Sequence, residues 1–404
     1  HSGYSAQSNV DIIGCAARMK LVHLVAAFSL LPLAAARLLL RSSLAHDGNL
    51  AVEASPRELP PTQYYGLVHV GTPPQEMRVV FDTTTGQLVV PSSKCTDLPC
   101  NSHRRYAAEN SSTSTQIGWA DEPTKAISGT DDRDVKAVSL LGSDAAGEFV
   151  RDRVCLGGSA REHCGLADFI SLTEETDDQF ADSDFDGVLG LAPTSMDAQQ
   201  FNVFMNLGSE EQKPMDHIFS VYLSEAGDGE LLVGGYDAKR AAGAFVWTPV
   251  ADPGTWSFVV SDISVGGQPT GLCGSKGCLA VVDTAASLIG VPNSIMQAFL
   301  AHTKDADCST QLPSLGFEVN GQWLELKGEE YMERQGSDCG VLLNTAQSSG
   351  EHSPLLFLGY PFLRRYYTVF DAQKNRVGMA AADHSHVTST TDSVVSVPLV
   401  GARP

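Results

Sequence analysis

The chain has 404 residues, with 48 aspartates and glutamates against 27 lysines and arginines and a formal charge of −21. That length is enough for two lobes, each with its own core. The charge argues against nucleic acid or an anionic membrane as partner, because its field repels phosphate; it suits both work at low pH and an ordinary solubilising surface.

The first residue is His1, and the first methionine is Met19. Residues 1–18 are read as translated upstream sequence. Met19-Lys20 then opens a short apolar run that ends on Ala34-Ala35-Ala36, the pattern of a secretory signal peptide over 19–36. Residues 37–58 read as a propeptide or leader. Nine cysteines are present; Cys15 precedes Met19, which leaves eight for the secreted part. None has zinc spacing, so disulfides in an oxidising compartment are the expectation, as Cys95–Cys100, Cys155–Cys164, Cys273–Cys278 and Cys308–Cys339.

From Leu59 the texture becomes short apolar runs separated by Gly, Pro, Asn and Asp, an all-β signature. Tyr366–Phe370 and Arg376–Ala380 flank a turn and predict a hairpin. Helical patterns are few: Pro292–Lys304, with Asn293 or Ser294 as N-cap, and Gln199–Leu207, stopped by Gly208. Asp177, Asp178, Asp182, Asp184 and Asp186 crowd one stretch that lacks the alternation of a calcium loop and reads as solvated. Asn110-Ser111-Ser112 is a glycosylation sequon. Residues 384–404, rich in Ser, Thr and Val, read as a flexible tail.

One stretch is doubled. Val79-Val80-Phe81-Asp82-Thr83-Thr84-Thr85-Gly86-Gln87-Leu88-Val89-Val90-Pro91 is echoed 201 residues later by Ala280-Val281-Val282-Asp283-Thr284-Ala285-Ala286-Ser287-Leu288-Ile289-Gly290-Val291-Pro292. In each copy an apolar strand ends on a carboxylate, followed by small or hydroxyl residues and a second apolar run. A carboxylate in so apolar a setting is costly unless hydrogen-bonded, and short neighbours can supply such bonds. The doubling points to two carboxylates brought together by an internal duplication.

Around these stretches the chain from Leu59 to Asp383 resembles the pepsin-like aspartic endopeptidases, peptidase family A1. The matching segments stand in family order. Gln63-Tyr64-Tyr65-Gly66, Val70-Gly71-Thr72-Pro73-Pro74-Gln75 and the first Asp segment come first, then Phe185-Asp186-Gly187-Val188-Leu189-Gly190. Phe219–Leu223, Leu232–Gly235, the second Asp segment, Phe357-Leu358-Gly359 and Arg365–Asp371 follow. The resemblance implies a mainly β, bilobal fold with a cleft between an N-terminal lobe (59–236, carrying Asp82) and a C-terminal lobe (237–383, carrying Asp283). It makes Asp82 and Asp283 the catalytic pair, braced by Thr83 and Thr284, with the Thr85 hydroxyl beside the first. Two carboxylates about 3 Å apart share a proton and activate a water without metal, cofactor or covalent intermediate. A peptide or protein substrate, a monomer, and an extracellular or vacuolar/lysosomal destination follow from the same resemblance.

Four residues depart from the family pattern, which has Asp-Thr-Gly or Asp-Ser-Gly in both lobes and a tyrosine in the flap. Thr84 and Ala285 stand where glycine is usual, and Thr84 adds a branched side chain beside water and substrate. Ala286 lacks a hydroxyl that many members place beside the second Asp. The usual flap tyrosine falls on Leu140, in a lid segment that includes Gly142; no tyrosine occurs between Tyr106 and Tyr222. Two readings follow: an acid-active endopeptidase, or a catalytically silent relative that keeps its cleft for binding peptides or proteins.

Overall fold

In the computed structural model the described residues are 63–402, apart from 126, 128–132, 141–142, 157–162, 177–179, 194–198, 209–214, 226, 304–310, 336–337, 347–354 and 386–394. The readings made of residues 1–62, Gly142 and Cys308 lie outside them. The molecule is mainly β and bilobal. A 14-stranded sheet runs through it, joined by five-, four- and two-stranded sheets built from the second half of the chain.

The duplication is visible as topology. Strand Gln75–Asp82 pairs in parallel with Gly187–Gly190, which pairs antiparallel with Leu88–Pro91. In the second half Cys278–Val282 pairs in parallel with Leu355–Leu358, which pairs antiparallel with Ile289–Pro292. Leu88–Pro91 then takes Cys164–Glu175 as a further, parallel neighbour, and Ile289–Pro292 takes Leu343–Ala346. The central strands Leu88–Pro91 and Ile289–Pro292 are buried along their whole length, and their sequences are correspondingly apolar without alternation. Between the halves, Phe219 stacks on Phe370 with centroids 4.5 Å apart, and Trp256 packs edge-on to both.

The expected hairpin is present as Tyr366–Asp371 and Arg376–Ala381. The helix expected over Pro292–Lys304 forms at Asn293–His302 with Ile295, Met296 and Phe299 buried. No side chain caps it: Pro292 closes the preceding strand, so chain passes directly from strand to helix. The second helical pattern breaks into Gln199–Phe201 and Val203–Asn206. Buried Asn202 causes the break, accepting from the Met205 N–H while donating to the Ala192 carbonyl. Asp186 departs from the solvated reading of its stretch; it is buried and accepts from the backbone N–H groups of Arg78 and Arg104.

The tail is a correction. Within the stretch read as a flexible tail, Val395–Ala402 forms a strand between Asp228–Val233 and Gln63–Val70. It links the two halves of the large sheet. The missed signal is alternation of period two: Val397 and Leu399 are buried while Pro398 and Val400 face out. Pro398, which has no N–H to donate, pairs opposite Glu230 at a point beyond the end of the Gln63–Val70 ladder.

Candidate active site

Asp82 is the last residue of its strand, delivered by the buried run Val79-Val80-Phe81. Asp283 directly follows Cys278–Val282, and its N–H donates to the Leu358 carbonyl. After each aspartate the chain leaves the strand in a tight loop that a neighbouring segment clasps. The Ala192 N–H donates to the Thr85 carbonyl, and the Tyr360 N–H donates to the Ala286 carbonyl. Glycine is required at both clasps. A Cβ at Gly190 would stand 2.4 Å from the Thr85 oxygen, and one at Gly359 2.3 Å from the Leu288 oxygen. These two glycines were matched as family segments but not singled out as part of the site.

The two loops lock together through their threonines. The Thr83 N–H donates to Thr284 Oγ1 and the Thr284 N–H to Thr83 Oγ1, each at 3.1 Å. Each hydroxyl donates onward across the pseudo-two-fold, Thr83 to the Val282 carbonyl and Thr284 to the Phe81 carbonyl, both at 2.6 Å. Four hydrogen bonds thus fix one aspartate loop against the other. Thr83 is wholly buried, so each of its bonds is made out of reach of competing water. Beneath the brace, Phe81, Thr284 and Leu399 of the C-terminal strand line a small apolar cavity.

The carboxyls themselves are not equivalent. Asp82, 6% exposed, accepts three bonds from its own loop. Thr84 gives its N–H at 2.7 Å and its hydroxyl at 2.6 Å to Oδ1, and Thr85 gives its hydroxyl at 3.0 Å to Oδ2. Among the described residues, Asp283 accepts the N–H groups of Ala285 and Ala286, at 2.9 and 3.1 Å, both on Oδ1. The residue is half-buried, and the protein packed around its carboxyl desolvates it. Burial first, and the neighbouring Asp82 second, push the Asp283 carboxyl up to about 7, against the lowering effect of those two N–H groups. Asp283 therefore keeps its proton further up the pH scale than an ordinary carboxyl does. Such a pair can take a proton from a water at one carboxyl and give one to an oxygen at the other.

The remaining predicted residues fall as follows. Leu140 pairs through its backbone with Ser143 at the end of the hairpin Val135–Leu140/Ser143–Leu156. Val138 of that hairpin and Ala285 pack against one apolar cluster that includes Val80, Val89 and Phe149. Asn110 is exposed at the end of the turn Ala108–Asn110. Cys95–Cys100, Cys155–Cys164 and Cys273–Cys278 are bonded. Among the described residues no three His, Cys, Asp or Glu side chains converge as a metal site, and no helix is long and apolar enough to cross a membrane. One contact had no sequence signal: Trp256 Nε1 donates to the Leu191 carbonyl, tying the second half of the chain to the segment that clasps the Asp82 loop.

Comparison with known proteins agrees with this geometry. The family model for eukaryotic aspartyl protease matches residues 63–382. Gastricsin of Macaca fuscata fuscata is 31% identical over 83% of this chain and 88% of its own length. Cathepsin E of Aquarana catesbeiana is 34% identical over 79% of each chain, and Pepsin-2B of Gadus morhua is 34% identical over 80% of this chain and 96% of its own.

Proposed function

Because the chain belongs to the eukaryotic aspartyl protease family, we propose that it is an endopeptidase in which Asp82 and Asp283 activate a water against a peptide carbonyl. The observation that carries this reading is the reciprocal Thr83–Thr284 brace, which holds two unequally hydrogen-bonded carboxyls together at the ends of duplicated strands. Asp82, ionised, takes a proton from the water as its oxygen attacks the carbonyl carbon. Asp283 gives its proton to the carbonyl oxygen, which becomes a hydroxyl of the tetrahedral intermediate. Collapse of that intermediate breaks the C–N bond: the proton held by Asp82 passes to the departing amine, and one hydroxyl proton of the intermediate returns to Asp283 as the C=O of the product acid re-forms. Neither metal nor cofactor enters these steps. The hairpin Val135–Leu140/Ser143–Leu156 serves as the lid, with Leu140 where the family has a tyrosine, and excludes water from the closed cleft. The substrate is an extended peptide or unfolded protein, and the three disulfides support a secretory-pathway destination, extracellular or vacuolar/lysosomal, for a monomer. Asn110 is the glycan acceptor on this route.

A silent, peptide-binding role is the second reading. It is favoured by Thr84, an exposed branched residue beside Asp82 where the family has glycine. One experiment separates the two. The full chain, acid-activated, is assayed on unfolded protein substrate from pH 3 to 7 beside Asp82→Asn. The endopeptidase reading expects turnover in the parent alone, abolished by a statine-type inhibitor. Equal rates in both proteins, with no binding of the inhibitor, contradict it.

A further inference from the structure

Position by position, the two aspartate loops differ by two hydroxyls. Thr84 and Thr85 follow Asp82, while Ala285 and Ala286 occupy the same places after Asp283. The N–H of the second residue after each aspartate reaches its Oδ1 in both loops, Thr84 at 2.7 Å and Ala285 at 2.9 Å. The Thr84 hydroxyl then adds a second donor to the same oxygen, at 2.6 Å. The side chain at this place is therefore folded back onto its own aspartate. Donors aimed at a carboxylate favour its charged form, and a hydroxyl does so only from this side of the pair.

We propose that Thr84 is a positioning residue: its hydroxyl, donated to Asp82 Oδ1 beside its own N–H, holds Asp82 as the ionised member and leaves the shared proton on Asp283. Thr84 then acts together with the Thr85 hydroxyl, which donates to Oδ2, in setting Asp82 apart from an Asp283 that accepts backbone N–H groups. The proposal rests on the endopeptidase reading for its kinetic consequence, but its electrostatic content does not need turnover. The surroundings leave Thr84 a clear role. Strands Gly187–Gly190 and Leu88–Pro91, packed beside Asp82, carry no ionisable side chain, and the facing loop contributes only Asp283. Tyr64, which lines the apolar cavity beneath with Phe81 and Thr284, is held neutral because burial raises its phenol above the ordinary range.

The test compares Thr84→Val, Thr84→Ser and the parent chain by two readouts. In the pH profile of kcat/KM, the valine variant is expected to lose its acid-side activity, with the lower limb moved up by about one pH unit, while serine keeps the parent profile. A purely structural role for Thr84 would lower the plateau and leave the limb in place. A ¹³C titration of the aspartate carboxyls gives the same shift without any substrate: the lower step of the pair rises in valine and not in serine. Thr84→Ala, for which Ala285 is the precedent in the second loop, replaces valine if that variant does not fold. An unmoved lower step in the valine or alanine variant, or a serine variant that behaves like valine, overturns the proposal. If no variant turns over substrate yet the lower carboxyl step moves as stated, the endopeptidase reading fails while the assignment to Thr84 stands.

Discussion

The loops Asp82–Thr85 and Asp283–Ala286 share a backbone course, a clasping glycine and a reciprocal threonine bond, yet they present unlike carboxyls. One aspartate receives three donors, two of them hydroxyls; the other receives two backbone N–H groups. Duplication with strand pairing gives the symmetric scaffold, and the two residues after each Asp-Thr break the symmetry. A proton shared by two carboxyls settles according to such donors, so a few side chains decide which member is acid and which is base.

Removing either carboxylate is the harshest way to break the comparison. Asp82→Asn and Asp283→Asn are each expected to cost on the order of 1,000-fold in kcat/KM, measured on an unfolded protein substrate. Stability should tell them apart. Folded Asp283 keeps its proton to about pH 7, whereas in the unfolded chain it loses it near an ordinary carboxylate value of about 4. Between those values the folded state binds more protons, so stability falls as pH rises, by at most about 1.4 kcal/mol per pH unit. Below about pH 4 both states are protonated and this contribution is fully present. Urea midpoints from pH 4 to 7 should therefore flatten in Asp283→Asn relative to the parent.

The brace comes next. Thr83→Val leaves the buried Val282 carbonyl and the Thr284 N–H without their partner, an expected loss of about 2–4 kcal/mol in urea unfolding. Thr284→Val mirrors it through the Phe81 carbonyl and the Thr83 N–H, and clearly unequal losses would show that the brace is less symmetric than its hydrogen bonds. Thr84→Gly separates bulk from hydrogen bonding. Relief of crowding raises the plateau of the pH profile, whereas loss of the hydroxyl moves its acid limb. The smallest expected change is Ala286→Ser, which supplies the second loop with a hydroxyl where Thr85 serves the first; the upper limb should fall by about one pH unit with little change at pH 4.

Much of this was legible in the sequence because duplication leaves two copies to compare. Asp82 with Asp283 and Thr83 with Thr284 could be paired by eye, since the apolar approach and the closing proline coincide. The three bonded disulfides were likewise readable from local spacing. The reach of Thr84 was not: its branched side chain read as an obstruction, and only coordinates give its hydroxyl the partner Asp82. The C-terminal strand escaped because Val395–Ala402 has no strong run of its own and is completed by Gln63–Val70 and Asp228–Val233, both distant in sequence. Gly190 and Gly359 stand in segments that resemble the family, but only the structure sets the Thr85 and Leu288 carbonyls against them.

The unequal sharing of one proton is tested most directly by ¹³C titration of the aspartate carboxyls in the parent chain from pH 2 to 9, with Asp283→Asn to assign the steps. The expected result is an upper step near pH 7 that vanishes in Asp283→Asn. An upper step that persists in that variant, or a pair fully ionised by pH 5, would contradict the account.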